Sequence, residues 1–220
     1  MKSLSLLDAC QSKPHYNLLS SIQFLLPYVK DIPSEIQSSL IKRILAVSFV
    51  ASEYAEPVVN SNSPEGFLPE GFSVKGRQIW HTMVANEQLC RSLFSVERNQ
   101  DATELAKQLL VMAWRMMKAS STMLGVIGSV FELTLATAKA IGDHLIDQLT
   151  QARHRGTFEL AAEAFRALCI QTRRGKEETR HLLDYWCDHC LAIITDKVKI
   201  DALCQTRRSA GLPHLFGSYK

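Results

Sequence analysis

Two cysteines three apart, in Cys187-Asp188-His189-Cys190, are the residues of this 220-residue chain that come nearest to a chemical motif. Paired thiolates can hold zinc or act as a redox couple. A zinc site needs about four ligands, and His181 or Cys204 are the residues that could be added. No second Cys-x-x-Cys exists in the chain. The pair also sits in an apolar helical run with Trp186 and Leu191, so it reads as buried structural cysteine with no metal. His144 and Asp147 share a helix face, but no nucleophile accompanies them, and they read as part of a solvated face. There is no phosphate-cradling loop, dinucleotide fingerprint, G-x-S-x-G or H-E-x-x-H. Gly125-Val126-Ile127-Gly128 reads as a helix feature. The chain is therefore expected not to be an enzyme and to carry no cofactor of its own.

Three basic clusters remain. Arg115 and Lys118 lie three apart on one helix and so on one face. Arg153-His154-Arg155 falls at a helix corner, and Arg207-Arg208 near the start of a last helix. Corners of stacked helix pairs line up along an edge, which could gather these side chains into one patch for phosphate groups. The alternative is that they satisfy helix C-terminal carbonyls or pair with acids such as Glu159. The formal net charge of +3, from 25 Lys and Arg against 22 Asp and Glu, is too small to name a nucleic-acid partner. Its distribution says more. Residues 1–110 carry a net −1 and residues 111–220 a net +4, so an anionic partner is expected to meet the second half.

The elements that must position these residues are helices. Ile22, Phe24, Leu25 and Leu26 form an apolar segment punctuated by Pro27 and Pro33. Ile36, Leu40, Ile44, Val47 and Ala51 recur at the spacing of one buried helix face, with Ser34 as a candidate N-cap. Asn60-Ser61-Asn62-Ser63-Pro64-Glu65-Gly66, Pro69, Gly71 and Gly76 mark residues 57–77 as an exposed loop. From Asp101, a candidate cap followed by Glu104, an apolar run continues to Phe131, and Gly125 and Gly128 can allow a close helix contact or a kink. Further helices are expected over 136–152, 157–172 and 177–195, with corners at His154-Arg155-Gly156 and Arg173-Arg174-Gly175, and another from about 199. Nothing reads as a strand. The expectation is an all-α chain, an armadillo/HEAT-like α-solenoid segment of stacked antiparallel helix pairs. Its division is 1–56 (N-terminal helical repeats), 57–77 (loop) and 78–220 (a second helical segment). The start, Met1 to Asp8, is too short and too soon charged for a signal peptide. The most apolar stretch, Met123 to Leu135, includes Glu132 and is too short to span a membrane. Six cysteines without a tight framework suit reduced thiols in the cytoplasm.

Three blocks, in order, carry a resemblance. Thr206-Arg207-Arg208-Ser209-Ala210-Gly211-Leu212-Pro213 resembles the RRSAGLP motif of the thyroid adenoma-associated protein (THADA) family. Ala113-Trp114-Arg115-Met116-Met117-Lys118, continuing to Leu124-Gly125, resembles its tryptophan helix. Ala152-Arg153-His154-Arg155-Gly156-Thr157-Phe158-Glu159-Leu160-Ala161 resembles its R-H-R-G-x-F-E-L-A block. Ser63-Pro64-Glu65-Gly66 is similar to a loop ahead of the tryptophan helix, so the likeness covers about residues 60–215. It implies a large armadillo/HEAT-like protein without a catalytic site, a DUF2428-type regulatory subunit of an FtsJ-type tRNA 2'-O-methyltransferase. That enzyme supplies the S-adenosylmethionine site, and the pair methylates the ribose of nucleotide 32 in the tRNA anticodon loop.

The resemblance ties Arg207, Arg208, Ser209, Ala210, Gly211, Leu212 and Pro213 to that activity. Arg115, Lys118, Arg153, His154 and Arg155 are candidate RNA or partner contacts. Arg207 and Arg208 either touch RNA or brace neighbouring repeats. Family members are several times longer, so this chain is expected to be a piece truncated at the C-terminus. A stack cut at both ends is expected to expose apolar faces and to be poorly stable or aggregation-prone. The competing reading is a general α-solenoid interaction scaffold with no RNA role.

Overall fold

The computed structural model describes residues 15–60, 100–152, 155–195 and 217. Helices dominate them: α1 (His15–Leu25), a 3-10 turn (Leu26–Asp31), α2 (Ser34–Val59), α3 (Gln100–Val130), α4 (Leu135–Gln151), α5 (Arg155–Arg174) and α6 (Glu177–Thr195). Among the described residues there is no strand. Nor is any helix among them long and apolar enough to cross a membrane.

The ends of these helices follow from local chemistry. Pro33 is extended, with φ −50° and ψ 137°, and its carbonyl accepts from the Gln37 N–H at 3.0 Å. Pro33 is thus the cap residue, and Ser34, the candidate cap, is the first helical residue. Asp101 likewise falls inside α3 rather than ahead of it. At α4 the Thr134 hydroxyl accepts from the Thr137 N–H at 3.3 Å, a side-chain N-cap. Arg173 and Arg174 occupy the last turn of α5, and Glu177 and Glu178 the first turn of α6, each suiting the helix dipole. α2 runs to Val59, three residues into the stretch read as loop.

Contacts between helices rise together in register, which fixes their directions. Arg115 meets Tyr16, and Ala119 meets Gln23, so α1 and α3 are parallel. Lys118 lies by Gly156, Gly125 by Ala164 and Gly128 by Leu168, so α3 and α5 are parallel. In the other row, Phe49 meets His144 and Ser52 meets Gln148, aligning α2 with α4. Lys139 meets Tyr185 and Asp143 meets Trp186, aligning α4 with α6. The odd and even helices thus form two rows. α3 is the hub, burying Met112, Ala113, Met116, Met117, Met123, Leu124 and Ile127 against neighbours on several sides.

Two kinds of seam hold the helices together. Between α3 and α5 the contact is dry and close. A Cβ on Gly125 would lie 2.8 Å from the Cα of Ala164, so glycine is what permits the approach. Trp186, fully buried, covers Gly142 in the same way, with its Nε1 donating to Asp143 Oδ1 at 3.0 Å and its ring edge-on to Phe165.

Where α2, α3 and α4 meet, the seam is polar. Gln148 Nε2 donates to Ser52 Oγ, Ser52 to Ser120 Oγ, and Ser120 to the Ser48 carbonyl, at 3.2, 2.7 and 2.8 Å. Ser121 Oγ donates to Gln148 Oε1 at 2.7 Å. These four serines and Gln148 are buried, and each is satisfied.

This seam revises the reading of α2. Ile44 and Ala51 are buried and Leu40 partly so, but Ile36 and Val47 face solvent. The buried face is Ile44, Leu45, Ser48, Ala51, Ser52, Ala55 and Val58. Two serines stand in it: the Ser48 hydroxyl donates to the Ile44 carbonyl of its own helix, and the Ser52 hydroxyl finds Ser120 on α3.

His144 is also revised. It is not part of a solvated face: its ring packs edge-on to Phe49 at 4.9 Å, and its Nε2 lies 3.0 Å from Gln148 Nε2. Burial pushes its pKa down to about 4, so it is neutral near pH 7 and accepts from the amide. Asp147 remains exposed.

Candidate nucleic-acid interface

α4 ends at Gln151 and α5 starts at Arg155, so the corner between them lies at one edge of the two rows. The corners at 131–134 and 175–176 lie at the opposite edge, where Lys176 pairs with Glu132 at 3.0 Å. Because the odd helices are parallel, with Arg115 level with Tyr16 and Lys118 with Gly156, the start of α1 and the middle of α3 belong to the α4–α5 edge. α6 also ends there, at Thr195.

Trp114, Arg115 and Lys118 project from the middle of α3, level with this edge. The Lys118 ammonium lies 4.1 Å from the centroid of the Trp114 ring, a cation–π contact. It also reaches the first turn of α5: a Cβ on Gly156 would be 3.1 Å from Lys118 Nζ and 3.3 Å from Trp114 Cζ2. A side chain at position 156 would push lysine and indole aside, so the glycine makes room for the stacked pair. The start of a helix carries partial positive charge. An ammonium held against it concentrates positive potential, and an anion placed there would be attracted by both.

Arg115 goes the other way. Its Nη1 donates to the Tyr16 hydroxyl at 3.0 Å, and its guanidinium lies 5.4 Å from the Tyr16 ring centroid. Three residues on a helix are about 60° apart around the axis. That is enough to send Arg115 toward α1 and Lys118 toward α5. The two share an edge of the molecule, but each has its own aromatic partner.

Arg155 opens α5 with its backbone at this corner. Arg153 and His154 lie outside the described residues. So do Arg207, Arg208, Ser209, Ala210, Gly211, Leu212 and Pro213, which follow α6 in sequence. Sequence spacing did not reveal the meeting of Lys118 with Gly156. The available signal was the glycine itself, at a helix start where Ser, Thr, Asp or Asn would be the usual choice nearby.

The described cysteines, Cys169, Cys187 and Cys190, offer no comparable arrangement. Cys190 is buried and Cys187 half-buried. Burial, with the Cys190 thiol nearby, pushes the Cys169 thiol up to about 12 against the opposing effect of Arg173, and a thiol so placed is unreactive. Among the described residues no group of three or more His, Cys, Asp or Glu side chains is arranged to hold a metal ion.

A family model described as THADA/TRM732, DUF2428 matches residues 39–218. The tRNA (32-2'-O)-methyltransferase regulator THADA of Drosophila melanogaster is 29% identical over 240 aligned residues, which cover 98% of this chain and 13% of that protein. The human protein of the same name is 27% identical over 257 aligned residues, covering 95% of this chain and 13% of its own length. The Schizosaccharomyces pombe regulator trm732 is 26% identical over 220, with the same coverages. The chain thus spans about an eighth of the length of these curated relatives. No solved structure matches.

Proposed function

The chain belongs to the THADA/TRM732, DUF2428 family, and from that membership we propose that it acts as a non-catalytic regulatory segment in tRNA 2'-O-ribose methylation at nucleotide 32. Its partners in this reading are an FtsJ-type methyltransferase, which brings the S-adenosylmethionine site, and the anticodon stem-loop of tRNA, in the cytoplasm. The curated relatives are named as regulators of the (32-2'-O) reaction rather than as the methyltransferase. The two parallel rows of helices support an armadillo/HEAT-like stack, in which each new pair extends the same edge.

One observation carries the reading. Two blocks that resemble the family, the tryptophan helix and the R-H-R-G corner, come together through Lys118 and Gly156. The contact assembles a positive site at an edge rather than a catalytic pocket. RNA is held largely through phosphates and shape, so such an edge suits a positioning subunit. In this reading Lys118, with Arg153, His154 and Arg155, meets the backbone of the tRNA. Arg115, tied to Tyr16, braces α1 and lends its charge. The Arg207–Pro213 motif, which follows α6 in sequence, supplies the contacts tied to activity.

The test is ribose methylation of nucleotide 32 by the full-length protein with its methyltransferase, read by mass spectrometry of tRNA digests. Arg207→Ala with Arg208→Ala is expected to abolish it at unchanged protein levels. Lys118→Gln is expected to weaken tRNA binding and to lower the salt dependence by about one counterion. Full methylation in the double variant would overturn the proposal.

A further inference from the structure

Thr157 is fully buried, and its hydroxyl has no hydrogen-bond partner. A buried threonine further along a helix returns its hydroxyl to a carbonyl of the preceding turn, as Thr150 does to Ile146 at 3.0 Å. Thr157 stands in the first turn of α5 and has no helical turn behind it. Valine has the same shape and would fill the place without stranding a donor, so the hydroxyl itself needs a reason.

Register shows where the side chain points. Gly125 on α3 meets Ala164 on α5. Seven residues earlier on each helix, within about 20° of the same two lines, stand Lys118 and Thr157. The register holds that far, since Lys118 Nζ would lie 3.1 Å from a Cβ on Gly156. Thr157 therefore faces α3 at the Lys118–Trp114 pair, whose two members are half-buried.

Several donors thus converge at the α4–α5 corner. The first-turn N–H groups of α5, those of Arg155, Gly156 and Thr157, have no carbonyl of their own helix to bond. No acidic residue stands in that turn to answer them. Gly156 lets a ligand come close to the backbone. Lys118 adds a full positive charge and Thr157 a neutral hydroxyl donor. A helix start with an ammonium and a hydroxyl beside it suits a phosphate group.

We propose that the first turn of α5, Lys118 and Thr157 together seat one phosphodiester group of the bound RNA. Seating it draws the Lys118 ammonium, on its flexible stem, from the Trp114 ring to the anion and opens the hydroxyl to it. This rests on the RNA reading above and deepens it. A general positive edge needs only charge, whereas a seat needs the uncharged Thr157 hydroxyl and one particular phosphate.

The test is tRNA binding by the full-length protein with its methyltransferase, on anticodon stem-loops in which one phosphate at a time is a neutral methylphosphonate. At one linkage the change is expected to weaken wild-type binding about tenfold or more, and Thr157→Val to weaken binding of unmodified RNA by a similar factor. On that modified RNA Thr157→Val costs no more than about twofold further. Thr157→Ser keeps the hydroxyl and restores the wild-type pattern. The melting midpoint of the Thr157→Val protein is unchanged or raised, because no hydrogen bond within the chain is lost. Thr157→Val binding RNA as wild type does overturns the proposal, as do losses that multiply at every linkage or a melting midpoint that falls. Inorganic phosphate that stabilises wild type but not Thr157→Val, with no coupling to any linkage, marks a site for free anions and also overturns it. If the seat fails while the Arg207→Ala, Arg208→Ala variant still loses methylation, the RNA reading stands without it. If the complex binds tRNA with no salt dependence, both fall.

Discussion

The α3–α5 seam and the α2–α3–α4 seam hold neighbouring helices together by opposite means. In the first, Gly125 and Gly128 let α5 approach until Ala164 and Leu168 touch the α3 backbone region, and the contact is apolar. The Trp186–Gly142 contact extends that dry packing to α4 and α6. In the second, three serine hydroxyls, the Ser48 carbonyl, a glutamine amide and a neutral imidazole replace close packing with directed hydrogen bonds. The dry seam depends on volume and is indifferent to protonation. The wet seam tolerates small changes of volume but depends on every donor finding its acceptor. Changes aimed at one seam should therefore leave the signature of the other untouched.

The largest effect is expected at the dry seam. A Cβ at position 142 would fall 2.1 Å from Trp186 Cζ2 and 2.3 Å from Cε2. The indole is fully buried, tied to Asp143 and packed on Phe165, so it has nowhere to go. Gly142→Val should lower stability by about 4 kcal/mol or more, at the upper end for overpacked cores. Urea unfolding followed by circular dichroism would measure it. Loss of less than about 1 kcal/mol would show that the α4–α6 contact gives way easily and that the contrast between the seams is false.

The next effect belongs to the wet seam and is a dependence on pH. His144 titrates at about 4 in the folded chain instead of its ordinary 6.5, because burial disfavours its charged form. Above pH 6.5 both folded and unfolded chains hold it neutral, and it adds no pH dependence. As pH falls from 6.5 toward 4 the unfolded chain takes up the proton first, and stability is lost, by up to about 3 kcal/mol. The Glu56 and Asp147 carboxyls, both raised chiefly by burial, act in the opposite direction across the carboxylate range. The comparison that isolates the imidazole is wild type against His144→Leu at pH 7.5, 5.5 and 4.5. The stability difference should shift in favour of the leucine variant as pH falls. A constant difference would mean that His144 titrates normally.

The same contrast explains what the sequence disclosed. α4, α5 and α6 were legible to within about two residues because their apolar faces end at Arg-Gly or polar corners that have a physical cause. The Gly125–Gly128 pair could be read as a close contact, since small residues at that spacing in an apolar run have few other uses. The wet seam was hidden. Ser48 and Ser52 look like surface residues until Ser120, some 70 positions away, bonds the Ser52 hydroxyl and the Ser48 carbonyl. Once two serines are admitted to the core, Ile36 and Val47 lie on the outside. Apolar spacing alone cannot choose between two lines on one helix. His144 reads as part of a solvated face for the same reason, because Phe49 is 95 residues distant. At the basic edge the charged clusters were visible. The divergence of Arg115 and Lys118 was not, because it depends on Tyr16 and Gly156.

The smallest effect is also the sharpest test of the wet seam as a unit. Ser120 both accepts from Ser52 and donates to the Ser48 carbonyl, so Ser120→Ala strands the buried Ser52 hydroxyl and removes a second hydrogen bond from a carbonyl that already serves its helix. A loss of about 1–2 kcal/mol is expected. Ser52→Ala alone should cost less, because the Gln148 amide hydrogen it releases still has Met117 Sδ at 3.1 Å and the Ser120 hydroxyl keeps the Ser48 carbonyl. The two changes together should cost clearly less than the sum, by about 0.5 kcal/mol or more, because the second removes a group already stranded by the first. Ser129, whose exposed hydroxyl only returns to the Val126 carbonyl, serves as the reference: Ser129→Ala should stay within about 0.5 kcal/mol. Additive losses at Ser52 and Ser120 would reduce the relay to two separate hydrogen bonds. The α2–α3–α4 seam would then differ from the α3–α5 seam in composition only, and not in how its parts depend on one another.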